Sequence, residues 1–338
     1  MYRQTILPRW RGFNLEQRIG QTGGTYSEDD FQMISELGFD FVRLALNYKQ
    51  WITEGDWNRI DHDKLAPIDQ AIDWGKKYGL HVNLSFHRGP GYSIGNGGFE
   101  PYKLFRDEEA LQAFILHWTT FTSRYKTAGD NVSFNLLNEP RGIIGQPPGI
   151  GPAEHAVVMR KTIKAIRDID PVRLIILDGL DAGKVPPIDL FDLAKDNVAL
   201  SMRAYVPGGV THYGATWDGN ERYAHIEPKW PGGVTPEGVW DRDRLHNYFK
   251  LWGAFAESAG MGLHCGEGGC YNCTPHGVAL AWMEDVLSFL QEINTGLALW
   301  NFRGPFGILD SGRTDVAYEN WHGHQLDRKM LELLRKYW

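Results

Sequence analysis

Val132-Ser133-Phe134-Asn135-Leu136-Leu137-Asn138-Glu139-Pro140 is the stretch that decides the fold. Six apolar or β-tolerant residues followed by a polar pair and a proline read as a buried strand over 132–137 whose end emerges into a loop. Packing explains a carboxylate at such an exit poorly. A sheet covered on both faces leaves its strand ends as the place to build a site, and that explains it well.

The same pattern recurs downstream in Met261-Gly262-Leu263-His264-Cys265-Gly266-Glu267-Gly268-Gly269, where a short strand ends on Glu267. The small residues after it let another segment approach closely. Two glutamates at two strand exits form a candidate pair.

Working outward, hydrophobic period and capping signals alternate strand with helix along the whole chain. Strands are expected at 11–15, 39–46, 81–86, 132–137, 174–178, 198–205, 263–267 and 296–302. Helices are expected at 27–37, 63–78, 107–125, 153–169, 189–195, 241–259, 278–292 and 326–336. Ser27 is positioned to cap the first helix and Gly79 to close the second. The glycine- and proline-rich stretch 142–152 and the longer 207–240 read as loops. Eight strand–helix units predict an α/β protein, a (β/α)8 TIM barrel in one domain over 1–338. An open doubly wound sheet would carry a nucleotide fingerprint after its first strand, and none is there. The nearest match, Gly89-Pro90-Gly91 with Gly95, runs into Asn96-Gly97-Gly98 rather than a helix. No repeat or linker divides the chain.

Of the 338 residues 42% are apolar, enough for a large core, and 13 are tryptophan. Several tryptophans, among them Trp57, Trp217, Trp230 and Trp240, fall in stretches read as loops, where an indole face can stack on a sugar ring. Each taken alone is better explained by loop packing. The net charge of −7 argues against a nucleic-acid partner. No stretch is long and apolar enough to span a membrane, and residues 1–8 have no signal-peptide core, so the chain reads as cytoplasmic unless an export signal was trimmed.

If the barrel is right, its C-terminal rim carries Arg43, His87, Asn138 with Glu139, Tyr205, Glu267 and Trp300. Arg43, inside a buried strand, requires a partner. This set resembles glycoside hydrolase family 5, the cellulase and mannanase family, along nearly the whole chain from Arg11-Gly12-Phe13-Asn14 to Trp300-Asn301-Phe302. Asn-Glu-Pro alone is a weak match. Combined with Arg in strand two, Glu at strand seven and Trp in strand eight it is a strong one.

The resemblance implies double displacement on a β-glycoside, with Glu139 as general acid/base and Glu267 as nucleophile held about 5 Å apart. It also implies that Arg43 favours the ionised nucleophile and that Asn138 holds the sugar 2-OH. His87, Tyr205 and Trp300 would complete the subsite, though His87 and Tyr205 also read as ordinary core or loop residues. A departure stands at strand six, where family members usually carry His-x-Tyr and this chain has Arg203-Ala204-Tyr205. His212-Tyr213, further along the same loop, either replaces the missing imidazole or is an exposed pair. The implied partner is a β-linked oligo- or polysaccharide, cut by a monomer that needs no cofactor.

Cys270-Tyr271-Asn272-Cys273 with His264 and His276 nearby fits no zinc module, so no metal is expected. Partly buried thiols or a local disulfide both fit it. The expected activity is endo-β-1,4-glucanase, with a mannanase or an exo-acting β-glucosidase of the same mechanism as alternatives. A non-catalytic carbohydrate-binding barrel is the rival from another class. A phosphate-binding barrel would want a glycine-rich phosphate loop after strands seven and eight; Gly266 to Gly269 superficially offers one, but Glu267 in its middle would repel phosphate.

Overall fold

The computed structural model describes residues 6–21, 23–94, 100–141, 150–217, 219–236 and 238–337. Most of the loop 142–152 and the glycines of 95–98 lie outside these residues. Eight parallel strands make the barrel: β1 (Gly12–Leu15), β2 (Phe41–Asn47), β3 (His81–Gly89), β4 (Val132–Asn135), β5 (Ile175–Asp178), β6 (Val198–Ala204), β7 (Leu263–Gly268) and β8 (Leu297–Leu299). Their order in the sheet is β2-β1-β8-β7-β6-β5-β4-β3, and β2 pairs back onto β3, which closes it. The expected barrel is therefore present.

The longer helices among the described residues are α1 (Glu28–Glu36), α2 (Ala66–Tyr78), α3 (Glu108–Tyr125), α4 (Pro152–Arg167), α5 (Arg242–Ala259), α6 (His276–Glu292) and α7 (Arg328–Lys336). After β5 the connection is a 3-10 segment, Ile188–Asp196, where a short helix was expected. Other boundaries also differ. Strand β4 stops at Asn135, because Leu136 and Leu137 already leave the ladder. Ser27 sits at the cap of α1 in extended conformation without a side-chain bond to it. Gly79 does close α2, at φ +71°. The 207–240 segment is not structureless: it contains the helical turn Gly208–Thr211, the 3-10 turn Asn220–Tyr223 and a hairpin of Gly233–Thr235 with Gly238–Trp240.

The chain divides into two compact units. The first contains Leu15–Met202 and Ala256–Leu263. Its core stacks Phe86 on Trp118 at 4.0 Å, with Trp51 fully buried alongside. Below β4 the buried Arg173 donates to the carbonyls of Tyr125, Gly129 and Val132 at 2.7–2.8 Å and pairs with Asp170. These bonds stand at the N-terminal end of β4, where a barrel serves stability rather than chemistry.

The second unit contains Pro8–Asn14, Arg203–Phe255 and His264–Trp338. In it Asn14, at the end of β1, donates from Nδ2 to the carbonyl of Gly266 at 2.9 Å. Trp230 and Trp240, read from sequence as loop indoles, are buried. Trp230 donates to Asp285 and the Arg244 guanidinium lies over Trp240 at 4.2 Å, so both are packing residues.

Candidate active site

In the first unit, Arg43 points from the middle of β2 and is 1% exposed. Such a charge is tolerated only when paired and hydrogen-bonded. Its Nη2 donates to Asn135 Oδ1 and to Asn138 Oδ1, both at 2.7 Å, and its Nε to Asn135 Oδ1 at 3.0 Å. Asp178, at the end of β5, supplies the counter-charge at 3.7 Å. Asp178 also takes the Asn135 amide on Oδ1 at 3.0 Å and the backbone N–H of Glu139 on Oδ2 at 2.9 Å.

Glu139 has φ +48°, the left-handed region that costs an ordinary residue roughly 1–2 kcal/mol. Its backbone is held on both sides, since the Tyr92 hydroxyl donates to its carbonyl at 2.6 Å. Burial raises the Tyr92 phenol above its ordinary value, which keeps it a donor. The half-buried Glu139 side chain is thus aimed by backbone geometry. His87 is buried on β3.

In the second unit, Glu267 is 4% exposed at the end of β7. Arg203 Nη2 lies 3.4 Å from its Oε1, and the Tyr205 hydroxyl donates to its Oε2 at 3.2 Å. Residues two apart on an extended segment face the same side, so the end of β6 delivers both groups together. Tyr248 fixes that segment by donating to the Arg203 carbonyl at 2.8 Å. A Cβ on Gly268 would come within 2.9 Å of the Ala204 Cβ, so glycine after Glu267 permits the close approach of β6.

The Tyr205 ring meets His212 edge-on at 5.0 Å. His212, Trp217, Tyr271 and Phe306 continue from it as an aromatic wall, with centroids 4.9–6.4 Å apart. Trp300 is half-buried, its backbone N–H donates to the Gly268 carbonyl at 2.8 Å, and its peptide bond to Asn301 is cis.

Residues 3–304 match the family described as Cellulase (glycosyl hydrolase family 5). The chain belongs to glycosyl hydrolase family 5. It is 27% identical over 315 residues to Endoglucanase C of Acetivibrio thermocellus, covering 87% of this chain and 89% of that one. It is 28% identical over 261 residues to Cellodextrinase A of Ruminococcus flavefaciens, covering 76% and 72%. A crystal structure of a glycoside hydrolase shares 34% identity at a TM-score of 0.91, covering 97% of this chain and 99% of that one. The protein is a glycoside hydrolase of the cellulase family.

Within this family 5 barrel the structure brings Arg43 and Asn138 together, and Glu267, Tyr205 and His212 together. His212 is half-buried against Tyr205, not an exposed loop residue, and accepts or donates through Nδ1 with the Thr211 hydroxyl at 2.9 Å. Tyr213 is half-buried beside it. Sequence reasoning missed Asn135 and Asp178, which join Arg43 to the Glu139 backbone. Asp178 was findable, because it is also a carboxylate at a strand exit. Trp217, read from sequence as a loop indole, joins this wall, whereas its partners Tyr271 and Phe306 come from separate loops and left no periodic signal. Cys265, Cys270 and Cys273 are all free thiols, so no local disulfide forms. Among the described residues no group of three or more His, Cys, Asp or Glu is placed to hold a metal ion.

Proposed function

We propose that this hydrolase is an endo-acting β-1,4-glucanase that cuts β-glucan chains with retention of anomeric configuration, and that residues 1–338 act as one catalytic domain. Glu267 is the nucleophile and Glu139 the general acid/base. The observation that carries the assignment is the clamp on Glu267, whose two oxygens lie against a guanidinium and a phenol at 3.4 and 3.2 Å. A carboxylate held this way is oriented for attack on C1. Glu139 follows Asn138 at the exit of β4, aimed by the Asp178 and Tyr92 bonds to its backbone.

In the first half-reaction Glu139 gives its proton to the leaving glycosidic oxygen while Glu267 bonds to C1. In the second, Glu139 takes a proton from water, whose oxygen attacks C1 and releases Glu267. Arg43 fixes the Asn138 amide for the sugar 2-OH, and His87, Tyr205, His212, Tyr213 and Trp300 contribute to sugar binding. The endoglucanase and cellodextrinase names of the relatives support a β-glucan substrate.

The test is a panel of carboxymethyl cellulose, mixed-linkage β-glucan, mannan, xylan and aryl β-glucosides, with product length and first-formed anomer recorded. Rapid loss of carboxymethyl cellulose viscosity with β-anomeric oligosaccharides is expected, and a Glu267→Ala enzyme releases no reducing ends. Glucose as sole product, or faster cleavage of mannan, would overturn the endoglucanase assignment. A wild type that binds glucan and cleaves nothing would leave only a carbohydrate-binding barrel.

A further inference from the structure

Arg203 Nη2 lies against one oxygen of Glu267, and the Tyr205 hydroxyl donates to the other. Arg203 is 1% exposed, and a guanidinium does not lose its proton in a protein. Its charge at 3.4 Å is therefore permanent, and burial leaves it poorly screened by salt.

In double displacement Glu267 is an anion before attack, a neutral ester in the glycosyl-enzyme, and an anion again after water has entered. A fixed cation beside it stabilises the anion and has no comparable partner in the ester. We propose that Arg203 is a positioning residue that sets the balance of the two half-reactions, making Glu267 a good leaving group so that the glycosyl-enzyme breaks down faster than it forms. The inference rests on the reading of Glu267 as nucleophile.

In the first step the C1–O bond to the aglycone breaks, its oxygen takes the Glu139 proton, and one Glu267 oxygen bonds to C1. In the second a water oxygen bonds to C1 and passes a proton to Glu139. The electron pair of the C1–O(Glu267) bond then returns to the carboxylate facing Arg203. The same cation that speeds this return lowers the carboxylate's reactivity in the first step. Its effect is therefore to decide which of the two steps limits turnover.

The experiment is stopped-flow release of dinitrophenolate from 2,4-dinitrophenyl β-cellobioside by the wild type and by Arg203→Met, Arg203→Gln and Arg203→Lys. The wild type is expected to show no burst, and added methanol leaves its kcat unchanged. Arg203→Met is expected to give a burst of about one dinitrophenolate per enzyme, followed by turnover slowed about tenfold or more that methanol accelerates. Arg203→Gln keeps polar contacts without charge, gives the same burst, and carries the test if the Met variant does not fold. Arg203→Lys restores the charge and returns the wild-type trace. Folded neutral variants with no burst and no response to methanol would overturn the proposal, as would a Lys variant indistinguishable from them. Mass spectrometry of the wild type after 2-deoxy-2-fluoro-β-cellobiosyl fluoride separates the two readings. An adduct elsewhere than Glu267 sinks the nucleophile assignment, whereas an adduct on Glu267 leaves the burst to judge Arg203.

Discussion

Asp178 Oδ2 accepts the backbone N–H of Glu139 at 2.9 Å, so a side chain at the end of one strand holds the turned backbone at the exit of its neighbour. The same carboxylate balances Arg43 at 3.7 Å. Replacing it by alanine takes that counter-charge away from a guanidinium that is 1% exposed. Asp178→Ala should cost about 3–5 kcal/mol in urea unfolding, while Asp178→Asn should unfold closer to wild type yet lose more kcat than KM. An unchanged midpoint in the alanine variant would refute this account of Arg43.

Acid stability should be governed in part by two buried imidazoles. Burial pushes His117 and His155 down to about 4. His117 accepts the Trp51 indole N–H at 2.8 Å on Nδ1 and bonds the Trp57 carbonyl at 2.7 Å through Nε2, an arrangement only the neutral ring satisfies. A depressed folded-state value means that the unfolded chain binds the proton first. Their contribution is complete above about pH 6.5 and is lost as pH falls towards 4, with a slope of roughly 1.4 kcal/mol per pH unit for each ring. Urea titrations at pH 7, 6 and 5 check the slope, and a flat profile across that range contradicts it.

Thiol chemistry should single out one cysteine. Burial pushes Cys265 and Cys270 up to about 12, whereas Cys273 is exposed. Ellman's reagent at pH 8 should therefore titrate one thiol in the native enzyme and three in denaturant. Rapid labelling of Cys270 in the native state would show that its site opens.

Two glycine substitutions should differ sharply. A Cβ on Gly296 would lie 1.9 Å from the Trp10 carbonyl oxygen, and the backbone has no easy retreat. Gly296→Ala should cost about 3 kcal/mol or more. Gly79→Ala meets nothing within 4 Å and suffers only its φ of +71°, about 1 kcal/mol. Equal thermal shifts for the two would contradict this.

Most of the barrel was legible because each strand is an apolar run bounded by turn residues and each long helix carries a 3.6-residue period. Both glutamates showed themselves as charges at the ends of such runs. The Arg43 anomaly demanded a partner, but the partner is three-dimensional. Asn135 reads as an interior strand residue and Asp178 as the last residue of another strand, and only the closed sheet aligns them. Arg203 stood out as a mismatch whose meaning needed the Glu267 oxygens beside it. Hairpins such as Ile52–Thr53 with Asp56–Ile60 went unseen because strands of two and five residues give no reliable period.

The left-handed backbone at Glu139 sets fitness against robustness at one position. Glycine adopts φ +48° freely, so Glu139→Gly should relieve roughly 1 kcal/mol and melt slightly higher than the parent while hydrolysing nothing. A screen that rewards only survival on heating would steadily discard the working enzyme at this residue. The torsion therefore marks where selection by turnover must be applied alongside selection by heat.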